Sequence, residues 1–287
     1  MNKKFLSPGH NACAGCGELS AVQAVMRGLT DKVIIANATG CLEVTSTAYP
    51  QSAWGLPWIH SLFENAAAVA SGITAALKQK GDSETKVVVF GGDGATYDIG
   101  LGLVSGMWER QENILYVCFD TEAYSNTGIQ ASGSTPYGAA TTTTPYGPNS
   151  NGSITEKKDM IGIALAHGVK YVAQSTAGFP NDITSKVKKA LAVNGPAYIQ
   201  ILCPCIPGWK IKNDEAAEMG RLAVQTGLYP LLEYIDKKLV SSSINSSFKA
   251  TSTENYLNRQ GRFSHATEKI INDVKKIKDK NIEQYQI

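Results

Sequence analysis

Two short polar stretches and a set of cysteines hold the residue types in this chain that can do chemistry. The apolar run 86–90 passes directly into Gly91-Gly92-Asp93-Gly94-Ala95-Thr96. Thr121, 28 residues beyond Asp93, opens a second polar stretch, Thr121-Glu122-Ala123-Tyr124-Ser125-Asn126-Thr127-Gly128. Glycines let a backbone approach phosphate closely, Asp93 offers a carboxylate, and Thr121 or Asn126 offers a neutral oxygen. A hard cation such as Mg²⁺, bridging protein and a diphosphate, takes that kind of ligand set. A Gly-Asp-Gly run alone also reads as a tight turn after a buried strand. The paired second stretch makes the diphosphate site the better reading, because neither Gly-x-x-x-x-Gly-Lys-Ser/Thr nor a helix-opening Gly-x-Gly-x-x-Gly is present.

The six cysteines lie at 13, 16, 41, 118, 203 and 205. In a reducing compartment, such thiols are metal ligands or buried side chains more often than disulfides. Cys13-Ala14-Gly15-Cys16 is a ligand-type pair, Cys41 follows the first β-type run, and Cys203-Pro204-Cys205 follows the last. Four thiolates suit zinc or an iron–sulfur cluster, and the spacing leaves both open, since structural zinc usually shows two Cys-x-x-Cys pairs. Cys118 sits inside an apolar run and reads as a small buried hydrophobe.

The elements that must position these groups are short β-branched runs at 33–37, 86–90, 114–119 and 197–202, alternating with helical patterns at 64–80, 98–110 and 181–193. That alternation predicts an α/β fold, a parallel sheet sandwiched by helices, with ligand sites at the carboxyl ends of the strands. Residues 123–155 contain no Asp, Glu, Lys or Arg. A loop this long in a compact domain is expected to cover a site or an interface. After Trp209 the alternation stops, residues 238–253 are Ser-rich, and 265–284 form a charged amphipathic pattern. The expected division is therefore an α/β domain over 1–209 and a C-terminal extension over 210–287 that wraps the core or a partner subunit.

Over 287 residues the net charge is +2 with no dense basic stripe, so neither nucleic acid nor an anionic membrane is expected as a partner. No apolar run approaches the roughly 20 residues of a membrane span, and the first ten residues lack a signal-type apolar core, which predicts a cytoplasmic protein. Only 18% of residues are charged, below the usual quarter, which points to surface covered by partner chains.

Pro8-Gly9-His10-x-x-Cys13-Ala14-Gly15-Cys16-Gly17-Glu18, Ala38-Thr39-Gly40-Cys41, Trp58-Ile59-His60, Gly92-Asp93-Gly94, the stretch from Asp120 to Gly128, and Ser134-Thr135-Pro136-Tyr137-Gly138 together resemble the β subunits of pyruvate:ferredoxin oxidoreductases, in the 2-oxoacid:ferredoxin oxidoreductase family. The similarity continues through Gly208-Trp209 and Tyr256-Leu257-x-x-Gln260-Gly261-Arg262-Phe263. It implies a diphosphate-type thiamine-binding domain with an extended C-terminal tail. The implied reaction is oxidative decarboxylation of pyruvate with acylation of coenzyme A, the electrons leaving through a 4Fe-4S cluster to ferredoxin.

The resemblance settles the zinc question by assigning Cys13, Cys16, Cys41 and Cys205 to the cluster. Cys205 matches the family's Pro-Cys-x-x-Gly-Trp element, which leaves Cys203 structural. The resemblance also implies Glu18 and Cys41 beside the cofactor, Gly92, Gly94 and Ala95 at the diphosphate, and Asp93, Thr121 and the Ala123 carbonyl on Mg²⁺, with Asn126 at the substrate as the catalytic side chain. Many relatives carry Asn in place of Thr121; either offers an oxygen. His10 and His60 are expected to be packed or hydrogen-bonded, His167 and His265 to lie on helix surfaces, and Glu64 to open a helix.

The aminopyrimidine-binding half is implied to come from an α-type subunit, with γ and ferredoxin-like δ subunits, separate or fused, completing the assembly. The same cofactors acting on oxalate, a branched or an aryl 2-oxo acid stay open as an alternative, as does a non-catalytic electron-transfer or scaffold subunit.

Overall fold

The structure is a computed structural model that describes residues 5–243 and 251–285. Its strands are β1 (Val33–Ala38), β2 (Trp58–Ser61), β3 (Lys86–Gly92), β4 (Ile114–Asp120), the small hairpin β5 (Tyr146–Gly147) and β6 (Ser150–Asn151), then β7 (Tyr171–Thr176), β8 (Ala197–Leu202), β9 (Leu231–Ile235) and β10 (Lys238–Ser243). Eight of them form one sheet in the order β10-β9-β7-β8-β4-β3-β1-β2. From β7 to β2 every pairing is parallel, and β9 and β10 continue the sheet antiparallel.

The parallel strands are Val- and Ile-rich because both faces are covered. Side chains of alternate parity feed two layers. Ile35, Val88, Phe90, Val117, Phe119 and Ile199 pack under α1 (Gly17–Met26) and α6 (Pro180–Ala192). Ala36, Val87, Val89, Tyr116, Cys118 and Tyr198 pack under α3 (Ala66–Gln79), α4 (Leu101–Glu109) and α5 (Met160–Ala166). The sandwiched parallel sheet expected from the alternation is therefore present. The Ala-rich helix begins two residues later than the pattern suggested, at Ala66 rather than Glu64, and the pattern at 98–110 resolves into a π-helical turn, Gly94–Asp98, followed by α4.

The four expected strands form, but β2, β7, β9 and β10 escaped the pattern. The β7 sequence Tyr-Val-Ala-Gln-Ser-Thr turns polar half-way, yet all six residues are buried. Gln174 donates to the Pro230 carbonyl and accepts from Gln200, so the sheet tolerates polar groups that a hydrophobicity rule rejects.

The 210–287 segment adds two strands to the sheet and packs on the same body. In it α8 (Ala216–Gln225), α9 (Thr253–Asn258), a 3₁₀ turn (Gly261–Phe263) and α10 (Glu268–Tyr285) share a third apolar cluster with Leu202, Ile206 and Trp209. Of the Ser-rich stretch, 238–243 is β10 and 244–250 lie outside the described residues. Among the described residues no helix is long and apolar enough to cross a membrane.

Trp108, fully buried on α4, meets Tyr198 edge-on at 5.3 Å. Trp108→Ala is expected to cost about 3–5 kcal/mol, read as a lower denaturation midpoint at unchanged slope.

Candidate cofactor and thiol site

β8, β4, β3 and β1 are consecutive and parallel, so their carboxyl ends bring four chain segments to one edge: 203–205, 121–127, 92–94 and 39–41. This is where an open α/β sheet places its ligands. The Cys13–Cys16 loop reaches the same edge because α1 starts directly after Cys16. Its glycines are required: a Cβ on Gly15, at φ +77°, would lie 1.6 Å from the Asn213 carbonyl oxygen, and one on Gly17 would lie 2.6 Å from that of Pro204.

Asp93 is buried. Its Oδ2 accepts from the Ser132 and Ser134 hydroxyls at 2.6 and 3.0 Å, while Oδ1 lies 3.1 Å from the Thr121 hydroxyl. That hydroxyl is also 3.0 Å from the Ala123 carbonyl. One hydroxyl proton thus faces two acceptors, and the three oxygens expected as metal ligands stand together as an all-oxygen set that fits a hard cation. Gly94 is obligatory, since a Cβ there would lie 2.0 Å from the Tyr124 ring and 2.7 Å from Phe63. Asp93, Gly94, Thr121, Ala123, Tyr124 and Phe63 border a cleft of about 200 Å³ that Glu18, Asn37, Thr39, Gly40, Cys41, Gly92 and Asn126 also line. The Ala95 side chain instead packs into the core below the turn.

Cys13, Cys16, Cys41 and Cys205 line an adjoining cavity of about 180 Å³. Glu18, Cys41, Leu42, Thr121, Ser125 and Asn126 border both spaces. Among the described residues no three His, Cys, Asp or Glu side chains converge on a point that would hold a single ion, so the thiols ring a volume instead. Burial, then the neighbouring Glu18, pushes the Cys16 thiol up to about 12, and burial drives Cys41 and Cys205 the same way. Thiols held neutral by burial become thiolates when a metal cluster supplies positive charge. Cys203 stands apart, fully buried with its Sγ 3.2 Å from the Ile201 carbonyl, and Cys118 is core.

Residues 38–201 match the family model described as the thiamine pyrophosphate enzyme C-terminal TPP binding domain. The chain is 49% identical to the pyruvate synthase subunit PorB of Methanothermobacter thermautotrophicus, across 93% of this chain and 92% of that protein. The chain belongs to the PorB-type family of 2-oxoacid:ferredoxin oxidoreductase β subunits. Its similarity to PorB of Pyrococcus furiosus is 44% over 95% and 92% of the two chains, and to that organism's ketoisovalerate oxidoreductase subunit VorB 40% over 93% and 88%. A chain of the 2-oxoglutarate:ferredoxin oxidoreductase of Magnetococcus marinus, solved with 2-oxoglutarate, coenzyme A and succinyl-CoA, superposes with a TM-score of 0.61 at 26% identity, covering 77% of this chain and 81% of that one.

In this PorB-type chain several residues that build the site were not singled out from sequence. Ser132 and Ser134 come from the uncharged 123–155 stretch, which therefore forms part of the site. Lys157 bridges Asp120 at 2.5 Å and Glu122 at 3.0 Å, and Arg262 of the C-terminal segment meets Glu122 at 2.6 Å. Ser134 and Arg262 lie inside quoted motifs, whereas Lys157 carries no local signal. His60 bonds the Thr39 hydroxyl at 2.7 Å, His167 caps α5 and bonds Ser105, and His265 stacks on Tyr146 at 4.6 Å rather than standing on a helix surface.

Two cleft carboxyls are strongly perturbed. Burial, then the charge of Asp93, pushes Glu18 up to about 8; burial, then Asp120, pushes Asp93 up to about 7 against the pull of Ser132 and Ser134. Both groups hold their proton more tightly folded than unfolded, so their contribution to stability is greatest at low pH. It falls as pH rises from the ordinary carboxylate range through about 7 and 8, and is level above. The metal- and cofactor-free protein is expected to lose melting temperature from pH 5 to 8, and Asp93→Asn to flatten that slope; an unchanged slope in the variant refutes the assignment.

Proposed function

We propose that this β subunit serves a pyruvate-specific 2-oxoacid:ferredoxin oxidoreductase, binding thiamine diphosphate with Mg²⁺ in the oxygen-lined cleft and a 4Fe-4S cluster between Cys13, Cys16, Cys41 and Cys205. The observation that carries the reading is the shared wall: Glu18, Cys41 and Asn126 border both cavities, which makes the two groups neighbours. When bound, thiamine diphosphate supplies the electron sink that releases CO₂ from a 2-oxo acid, and a cluster supplies one-electron acceptance. Asp93, Thr121 and the Ala123 carbonyl hold the cation, Gly92 and Gly94 let the backbone meet the diphosphate, and Glu18 and Cys41 flank the cofactor. Asn126, at the junction of the two cavities, positions substrate. The higher identity to PorB than to VorB favours pyruvate over a branched 2-oxo acid.

Within this proposal an α-type subunit completes the cleft, γ and ferredoxin-like δ subunits, separate or fused, complete the assembly, and coenzyme A and ferredoxin are co-substrates. An apolar rim beside the cleft supports the docking of a partner. Phe63 lines the cleft, and its neighbour Leu62 is 64% exposed, as is Ile99, just past the Gly94–Asp98 turn, at 56%. Solvent-facing apolar groups at the edge of a site are what a partner covers.

The test uses the anaerobically purified assembled complex. Its brown iron–sulfur absorption is expected to bleach with pyruvate, further with coenzyme A; bleaching by a branched 2-oxo acid alone replaces the substrate, and a complex without iron refutes the cluster. Serine at Cys13, Cys16, Cys41 or Cys205 is expected to lower iron content, whereas Cys203→Ser and Cys118→Ala retain it.

A further inference from the structure

We infer that Arg262, in the C-terminal segment, is a positioning residue of the metal–diphosphate site, acting through Glu122 on the placement of Thr121 and the Ala123 carbonyl. The inference rests on the reading of that site given above. Glu122 stands between the two residues that offer oxygens to the cation and adopts φ +62°, a left-handed conformation in which a side chain is strained unless its surroundings hold it. Four contacts hold it: its N–H donates to Asp120 Oδ1 at 3.1 Å, its carbonyl accepts from the Thr135 hydroxyl at 2.9 Å, Lys157 pairs with Oε1 at 3.0 Å, and Arg262 Nη2 pairs with Oε2 at 2.6 Å.

Arg262 is itself locked. Its Nε donates to Gln260 Oε1 at 2.9 Å, its carbonyl accepts from the Ala140 N–H at 2.9 Å, and its guanidinium lies 3.8 Å from the centre of the Trp209 ring. The Trp209 indole N–H donates to the Thr121 carbonyl at 3.0 Å. The guanidinium therefore grips the 121–123 turn twice, once by the Glu122 carboxylate and once through the stacked indole. A planar fork does this where an ammonium would not. Buried Asp120, Glu122 and Arg262, with the half-buried Lys157, form a charge-neutral quartet behind the 121–123 turn. Nothing in it touches the cleft: its role is to fix the ligands, the part played by outer-shell groups around a metal.

The experiment measures Mg²⁺-dependent thiamine diphosphate binding by calorimetry on the assembled complex, stripped of cofactor, alongside its melting temperature and steady-state kinetics. Arg262→Met is expected to weaken cofactor affinity by about 10–100-fold. Saturating cofactor should restore most of kcat, with KM for pyruvate unchanged. Because a buried Glu122 that has lost one of its two cations can prevent folding, a Glu122→Gln/Arg262→Gln double variant keeps the quartet neutral and should show the same affinity loss. Arg262→Lys keeps the charge and should recover affinity only in part. Wild-type affinity in the variants that assemble, even with a lowered melting temperature, overturns the inference. Failure of the wild-type complex to bind thiamine diphosphate instead overturns the site reading on which it rests.

Discussion

Buried negative charge at one edge of the sheet is the constraint on which the rest of the structure depends. Parallel strands and the α1 start bring Glu18, Asp93, Asp120 and Glu122 together out of water. Burying ionised carboxylates is costly unless they are paired or neutralised. Asp120 and Glu122 are paired by Lys157 and Arg262. Among the described residues, Glu18 and Asp93 have no ion pair; Asp93 has three hydroxyls for company, and both lean toward the protonated form. The protein thus supplies cations to one half of its acidic edge, and among the described residues the other half is not ion-paired.

That division explains the long uncharged stretch between β4 and α5. A loop carrying Lys or Arg near Asp93 would pair with the carboxylate, and one carrying Asp or Glu would add to the repulsion. Ser132 and Ser134 orient the carboxylate without competing for it, and Ser125 reaches both the Thr121 hydroxyl and the Cys205 thiol. The same economy appears in the thiol cavity, where Gly15 and Gly17 let the Cys13–Cys16 loop lie against Asn213 and Pro204. A shared wall between the two cavities follows, because β1, β3, β4 and β8 are neighbours.

The C-terminal segment is part of this machinery. Expected as an extension, it adds β9 and β10 to the sheet and sends Arg262 beneath the 121–123 turn. Sequence pattern did not suggest this, because β9 and β10 pair antiparallel at one side of a sheet whose remaining strands are parallel, and the serines of β10 break the apolar alternation.

Legible in the chain alone were the residue types available for chemistry: Gly92-Asp93-Gly94 with Thr121 to Asn126 offered oxygens of the kind a hard cation and a diphosphate take, and Cys13, Cys16, Cys41 and the Cys203/Cys205 pair offered thiols. These were legible because short loops after β-type runs carry residue types that few other demands select, and turn glycines are fixed locally by backbone geometry. The central strands were legible for a similar reason, since burial on both faces leaves continuous apolar runs. How distant groups meet was not legible in the chain. Lys157 between two carboxylates, Arg262 against Glu122 across 140 residues, and Cys205 rather than Cys203 facing the cavity depend on strand order and on which way a side chain turns at a strand end. Periodicity in the chain encodes neither, because they follow from packing between segments far apart in sequence.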